Sequence, residues 1–126
     1  PNGNETIVFL HGLTSKKEDC NSPEIKGTTY IEFFVNKGYR CLSVDCLSHG
    51  ESSKPEEAAN YDRRLLALDF ISVMDAEKIE KAHFIGYSMG GLLGCFVAKF
   101  YPHRIKSLML GGSLFFFLNA IKNRFF

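Results

Sequence analysis

The chain has 126 residues, enough for one domain or part of one, and 45% of them are hydrophobic, enough for a core and too many for a disordered segment. Its 15 Lys and Arg against 14 Asp and Glu leave a formal charge of +1, which provides no electrostatic footprint for nucleic acid or an acidic lipid surface. The four cysteines, Cys20, Cys41, Cys46 and Cys95, lie far apart without a C-x-x-C pair and read as reduced thiols of a cytoplasmic protein.

The opening residues Pro1 to Thr6 form a polar turn, without the basic-then-apolar pattern of a secretory leader and without an initiator Met, so the sequence reads as part of a longer product. Thr6-Ile7-Val8-Phe9-Leu10 is the first compact apolar run, ended by His11-Gly12. A helical stretch is predicted over Thr28 to Asn36, stopped by Lys37-Gly38, where glycine supplies the left-handed residue past the helix end. Arg40 to Val44 is a second run, ended by Asp45. Tyr61, Leu65, Leu68, Ile71 and Met74 follow the 3/4 spacing of an amphipathic helix. Ala82 to Ile85 is a third run, ended by Gly86, and Met89 to Tyr101 a further helix, stopped by Pro102. Ile105 to Leu110 is the fourth run, ended by Gly111-Gly112. Short runs bounded by turn residues predict strands buried on both faces of a sheet. Their alternation with helices predicts right-handed βαβ crossovers and a parallel sheet, an α/β fold with flanking helices. The longest apolar run, Leu114 to Leu118, stays with its neighbours from Leu108 to Ile121 below the roughly 20 residues of a membrane span.

Ligands on such sheets bind beyond the carboxyl ends of the strands. There, after the third run, stands Gly86-Tyr87-Ser88-Met89-Gly90-Gly91, a G-x-S-x-G motif. A serine forced into a sharp strand-to-helix turn takes a strained conformation that lifts its hydroxyl above the sheet, and side chains two residues before and after it would collide. With Gly and Ser each near 7% of residues, chance alone puts this pattern in roughly one chain in twenty to thirty of this length, so the context decides. A glycine-rich helix start that merely packs close is the bland alternative. The position between a clear strand and a clear helix favours a nucleophile elbow.

The first run ends in His11-Gly12-Leu13 and the second in Asp45-Cys46-Leu47-Ser48-His49-Gly50-Glu51-Ser52. With the motif around Ser88, this ordered set resembles the α/β-hydrolase family, and Tyr101-Pro102-His103-Arg104 looks like its usual P-x-R turn. The resemblance runs from about Thr6 to Gly112 and rests on His11, Gly12, Asp45, His49, Gly50, Gly86 and Gly90 as motif positions. It implies Ser88 as nucleophile and the backbone N–H groups of Leu13 and Met89 as an oxyanion hole. It also places the strand before His11 beside the strand before Ser88, at the point where the strand order reverses. Gly90, Gly91 and Gly94 would let the helix after Ser88 lie close to the sheet. Ser48 departs from the pattern, which usually has glycine there.

A serine nucleophile needs a general base and an orienting carboxylate. In this family they follow it in the order acid, then histidine. After Ser88 the chain has no Asp or Glu, and its only histidine, His103, falls at the amino end of the fourth run. His83 lies at the same wrong end. His11 and His49 lie on the right face but are expected to shape loops, with His49 as substitute base only a remote alternative. Asp45 reads as a loop-fixing carboxylate, and no metal or organic cofactor is expected. The expected domain, residues 1–126, is a partial α/β-hydrolase core with about four of eight strands. Ser113 to Phe126 is expected to be a lid start or a truncated tail. Exposed sheet edges would favour self-association. The implied activity is serine hydrolysis of a small carboxylic ester or thioester through an acyl-serine, with little turnover by this chain alone. The alternative is a non-catalytic member that binds a ligand in the same crevice. A C–C bond hydrolase or lyase shares Ser88 and is not separated from an esterase by these residues.

Overall fold

A computed structural model of the protein describes residues 5–21 and 28–112; the tail from Ser113 to Phe126 lies outside them. Four strands, β1 (Thr6–Leu10), β2 (Arg40–Val44), β3 (Ala82–Tyr87) and β4 (Ile105–Gly111), form one parallel sheet in the order β2-β1-β3-β4. Three helices connect them: α1 (Tyr30–Asn36), α2 (Arg63–Ala76) and α3 (Met89–Phe100). The chain steps from β1 out to β2, then returns past β1 to β3 and on to β4. The strand order therefore reverses at the β1/β3 pair, where Leu10 lies opposite Gly86.

Local chemistry explains the helix ends. Thr29 opens α1 with a complete capping box: its hydroxyl accepts from Glu32 N–H at 3.2 Å, and the Glu32 carboxylate accepts from Thr29 N–H at 3.1 Å. Asp62 caps α2 by accepting from the Arg64 and Leu65 amides. At the far end of α2, Lys78 takes φ +57 while Ile79 N–H donates to Met74 O at 2.8 Å, a left-handed termination.

The side chains of Val8, Leu10, Ala82 and Phe84 on one sheet face meet Ala67, Phe70, Ile71 and Met74 of α2 and Leu93, Phe96 and Val97 of α3. These buried side chains form the main core. On the other face α1 covers β1 and β2, with Phe34 against Phe9 at 6.1 Å between ring centroids. Over β3 and β4 that face carries Ile85 and the exposed Met109.

Three expectations change. Only β1 is buried throughout on both faces; β2 and β4 are the two edges, and β4 has no fully buried residue. β3 continues past Ile85 to Tyr87, because Gly86 and Tyr87 still pair with Leu110 and Gly111. In α2 the buried side is Ala67, Phe70, Ile71 and Met74, whereas Leu65 and Leu68 are exposed and Tyr61 precedes the helix in a 3-10 turn. Spacings of 3, 1 and 3 place those four on one stripe facing α3 and the sheet.

Candidate active site

Ser88 sits between β3 and α3 with φ +51 and ψ −114, a combination that L-residues rarely adopt and that costs about 1–3 kcal/mol. Its N–H donates to Gly111 O at 2.8 Å, and its carbonyl starts the α3 ladder by accepting from Gly91 N–H at 3.0 Å. Its side chain makes no capping bond to α3, whose first amides and dipole face the bend. The flanking glycines are sterically required. A methyl group on Gly86 would overlap the Gly90 carbonyl and stand 2.6 Å from Gly91 N, and one on Gly90 would overlap the Leu10 carbonyl and stand 2.7 Å from that of His11. A methyl on Gly94 would come within 2.7 Å of Leu108 Cδ1, so α3 presses on the sheet there too.

The loop after β1 lies beside this bend: a methyl on Gly12 would be 3.6 Å from Ser88 Cβ. His11 fixes that loop. Its buried ring donates from Nδ1 to Gly12 O at 2.8 Å and accepts at Nε2 from Cys46 N–H at 3.0 Å. Accepting at Nε2 requires the neutral ring with its proton on Nδ1. The Gly12 carbonyl also accepts from Ser15 N–H at 3.3 Å, closing a turn in which Thr14 takes φ +63. That carbonyl and the Leu13 N–H belong to one planar trans peptide, so holding the oxygen orients the N–H the opposite way.

Asp45 ties the loops after β1 and β2 together. Its Oδ1 accepts from Lys17 N–H at 2.8 Å; its Oδ2 accepts from Lys17 Nζ at 2.9 Å and from Glu51 N–H at 3.0 Å. Burial alone would raise its pKa, but the Glu51 and Lys17 amides and the Lys17 ammonium outweigh that and hold the carboxyl well below the usual range. Glu51 and Asp45, both bonded to Lys17 Nζ, push that ammonium above its ordinary value. Gly50, at φ +51, leaves the space: any side-chain carbon there would overlap the Asp45 carboxylate. Ser48, where the resemblance has glycine, also takes a left-handed φ of +66, which accounts for the usual preference; its hydroxyl pairs with that of Tyr61.

His49 donates from Nδ1 to Leu47 O at 2.9 Å and packs its ring 5.1 Å from that of His11, within the β2 loop. Cys46 is buried beside it, and burial pushes its thiol up to about 12. His83 lies at the amino end of β3, bonded through Nδ1 to Ser107 Oγ at 2.7 Å, and His103 lies in the turn before β4; both are at the end of the sheet opposite Ser88. In that turn Arg104 donates to Glu80 O at 2.7 Å, to Ile79 O at 2.9 Å and to Asp75 at 2.6 Å, so the P-x-R arginine buckles the end of α2 to β4. Sequence reasoning missed Lys17 and the Gly111 carbonyl. Lys17 had one indirect signal: a carboxylate expected to be buried at a strand end needs a cation.

The family model for the α/β hydrolase fold matches residues 5–125. The chain belongs to the α/β-hydrolase fold family. It is 34% identical over 110 residues to a Bacillus subtilis protein named as a 2-succinyl-6-hydroxy-2,4-cyclohexadiene-1-carboxylate synthase, covering 87% of this chain and 37% of that one. It is 33% identical over 117 residues to a 2-hydroxy-6-oxononadienedioate/2-hydroxy-6-oxononatrienedioate hydrolase of Paraburkholderia phymatum, covering 87% and 36%. Among solved structures, Epoxide Hydrolase A of Mycobacterium thermoresistibile superposes with a TM-score of 0.76 at 28% identity, over 87% of this chain and 32% of that one. The α/β-hydrolase core seen here is thus partial, a chain that spans about a third of the length of these relatives. Among its described residues no helix is long and apolar enough to cross a membrane.

Proposed function

We propose that this α/β hydrolase carries the nucleophile-bearing part of a serine hydrolase acting on a small carboxylic ester or thioester. The observation that carries the reading is the backbone of Ser88, held at φ +51 at the apex between β3 and α3 with the Gly12 loop alongside. Strain of this kind persists only where surrounding structure enforces it, and here Gly86, Gly90 and the Gly111 carbonyl do so.

In this reading the Ser88 oxygen attacks the substrate carbonyl carbon as its proton passes to a base. The carbonyl π electrons move to oxygen, where the Leu13 and Met89 N–H groups stabilise the charge. Collapse expels the alcohol or thiol, which takes up that proton, and leaves an acyl-serine. Water then repeats the sequence and frees the acid. No residue after Ser88 supplies the family's carboxylate, and His103 stands at the wrong end of the sheet, so little turnover is expected of this chain alone. The resemblance ties epoxide and haloalkane chemistry to an aspartate nucleophile, so Ser88 argues against those branches. The names of the Bacillus and Paraburkholderia relatives favour a second reading of the same serine, acting on a hydroxy-oxo-dienoate or related carboxylate. A non-catalytic ligand-binding role is the alternative from another class.

Prolonged treatment with a fluorophosphonate at pH 9, followed by peptide mapping, tests the nucleophile. Selective modification of Ser88 over the other serines, lost in Ser88→Ala, is expected. Uniform modification of all serines would refute an activated Ser88. Efficient ester turnover that depends on Ser88 would refute the expectation that the base lies outside this chain.

A further inference from the structure

Gly111, the last residue of β4, and Gly112 just after it both lie beside the bend at Ser88. Gly111 O accepts the Ser88 N–H at 2.8 Å. Gly112, at φ +62, abuts the ring of Tyr87: a methyl on its α-carbon would lie 2.6 Å from Cε2 and 3.1 Å from Cζ. A methyl on Gly111 would lie 3.4 Å from Cδ2. Across the ring, a methyl on Gly12 would lie 3.3 Å from Cδ1 and 3.7 Å from Cε1. One edge of the ring therefore faces the turn after β4, and the other faces the loop after β1. Tyr87 is 64% exposed, so its ring stands outside the core, in a slot whose two sides have no room for an added methyl without contact.

We propose that Tyr87 is a positioning residue, a rigid spacer that sets the separation between the Gly12–Leu13 loop and the Gly111–Gly112 turn on either side of Ser88. A planar ring with two side-chain torsions transmits displacement without absorbing it, whereas an aliphatic chain would re-pack. Glycine on both flanks lets backbone approach the ring this closely. The chain leaving β4 thereby biases the orientation of the Gly12–Leu13 peptide through the ring. The catalytic consequence rests on reading Ser88 as the nucleophile and Leu13 as an oxyanion donor; the mechanical coupling does not.

The test uses the whole chain, nitrogen-15 labelled, with Gly112→Ala introduced into the parent, Tyr87→Phe and Tyr87→Leu backgrounds. In the first two the new methyl meets the ring, and the Gly12 and Leu13 amide resonances are expected to move. In the third those movements are expected to shrink to less than about a third. The rate of Ser88 phosphonylation is expected to fall about tenfold on Gly112→Ala in the parent and less than about threefold in the Tyr87→Leu background, since sub-ångström misplacement at such a site is costly. Equal amide movements in all three backgrounds would assign the effect to strain at Gly112 itself and overturn the spacer, as would no movement in any. If Gly112→Ala alone does not fold, recovery of folding by Tyr87→Leu supports the spacer, and failure of both overturns it. Absence of selective Ser88 phosphonylation in the parent would remove the nucleophile reading, while the amide resonances still decide the spacer.

Discussion

Replacing Asp45 by asparagine changes one atom in the pin that joins the first two strand-exit loops. The carboxylate accepts three hydrogen bonds, one on Oδ1 and two on Oδ2, and its side chain is only 4% exposed, so little water can substitute. Asparagine has one acceptor oxygen. Its better orientation places that oxygen toward Lys17 Nζ and Glu51 N–H and sets its NH2 against Lys17 N–H, because Gly50 leaves no room to swing aside. One bond to a charged acceptor is lost and the other two keep only a neutral acceptor, for a cost of about 3 kcal/mol, rising to about 4–5 kcal/mol for Asp45→Ala. The pH dependence has a definite sign. The folded-state pKa lies below the unfolded one, so this stabilisation is fully present above about pH 4 and is lost as pH falls further. Urea unfolding followed by circular dichroism at pH 7, 5 and 3 is expected to show a lower midpoint for Asp45→Asn with unchanged slope, and a gap to the parent that narrows at pH 3. A gap under about 1 kcal/mol at pH 7, or one that stays constant on acidification, would refute the assignment of Asp45 as an ionised pin.

Gly90→Ala is expected to cost more than about 3 kcal/mol, because its methyl meets main-chain carbonyls that cannot rotate away; a melting curve within 2 °C of the parent would contradict the close approach. Lys78→Gly should stabilise the fold by about 0.5–1 kcal/mol by relieving φ +57 at the end of α2, whereas Lys78→Val should destabilise it, both read from thermal unfolding. Arg104→Lys should lower stability by about 1–3 kcal/mol, since an ammonium cannot span Glu80 O, Ile79 O and Asp75 together. Sedimentation should show concentration-dependent association through the outer sides of β2 and β4, which have no strand partner among the described residues; a clean monomer across the range would count against it.

The features legible in the sequence are those set by neighbours along the chain. The starts of all four strands follow from compact apolar runs, and Gly38 marks the end of α1 by its φ of +87. The sharp bend at Ser88 is legible because G-x-S-x-G is a local steric requirement. The start of α1 could have been sharper: Thr29-x-x-Glu32 is a visible capping box that moves the first helical residue to Tyr30. The buried stripe of α2 is less legible, because Leu65 and Leu68 compete with Ala67 and Phe70 for the core face and only packing on α3 decides between them. The bonds of the site are the least legible. Lys17 and Asp45 are 28 residues apart, His11 and Cys46 are 35 apart, and Ser88 meets a carbonyl 23 residues later. Such pairings depend on strand order, which the motifs imply only through a family likeness.

The bond from Ser88 N–H to Gly111 O has a consequence for synthesis. Strand β4 must be made, released and seated beside β3 before the bend at Ser88 has its main-chain anchor. A nascent chain that has emerged only as far as α3 can relax that residue into an ordinary torsion. In this fold the unusual torsion at Ser88 is therefore completed only by tertiary closure, when a strand distant in sequence takes its place.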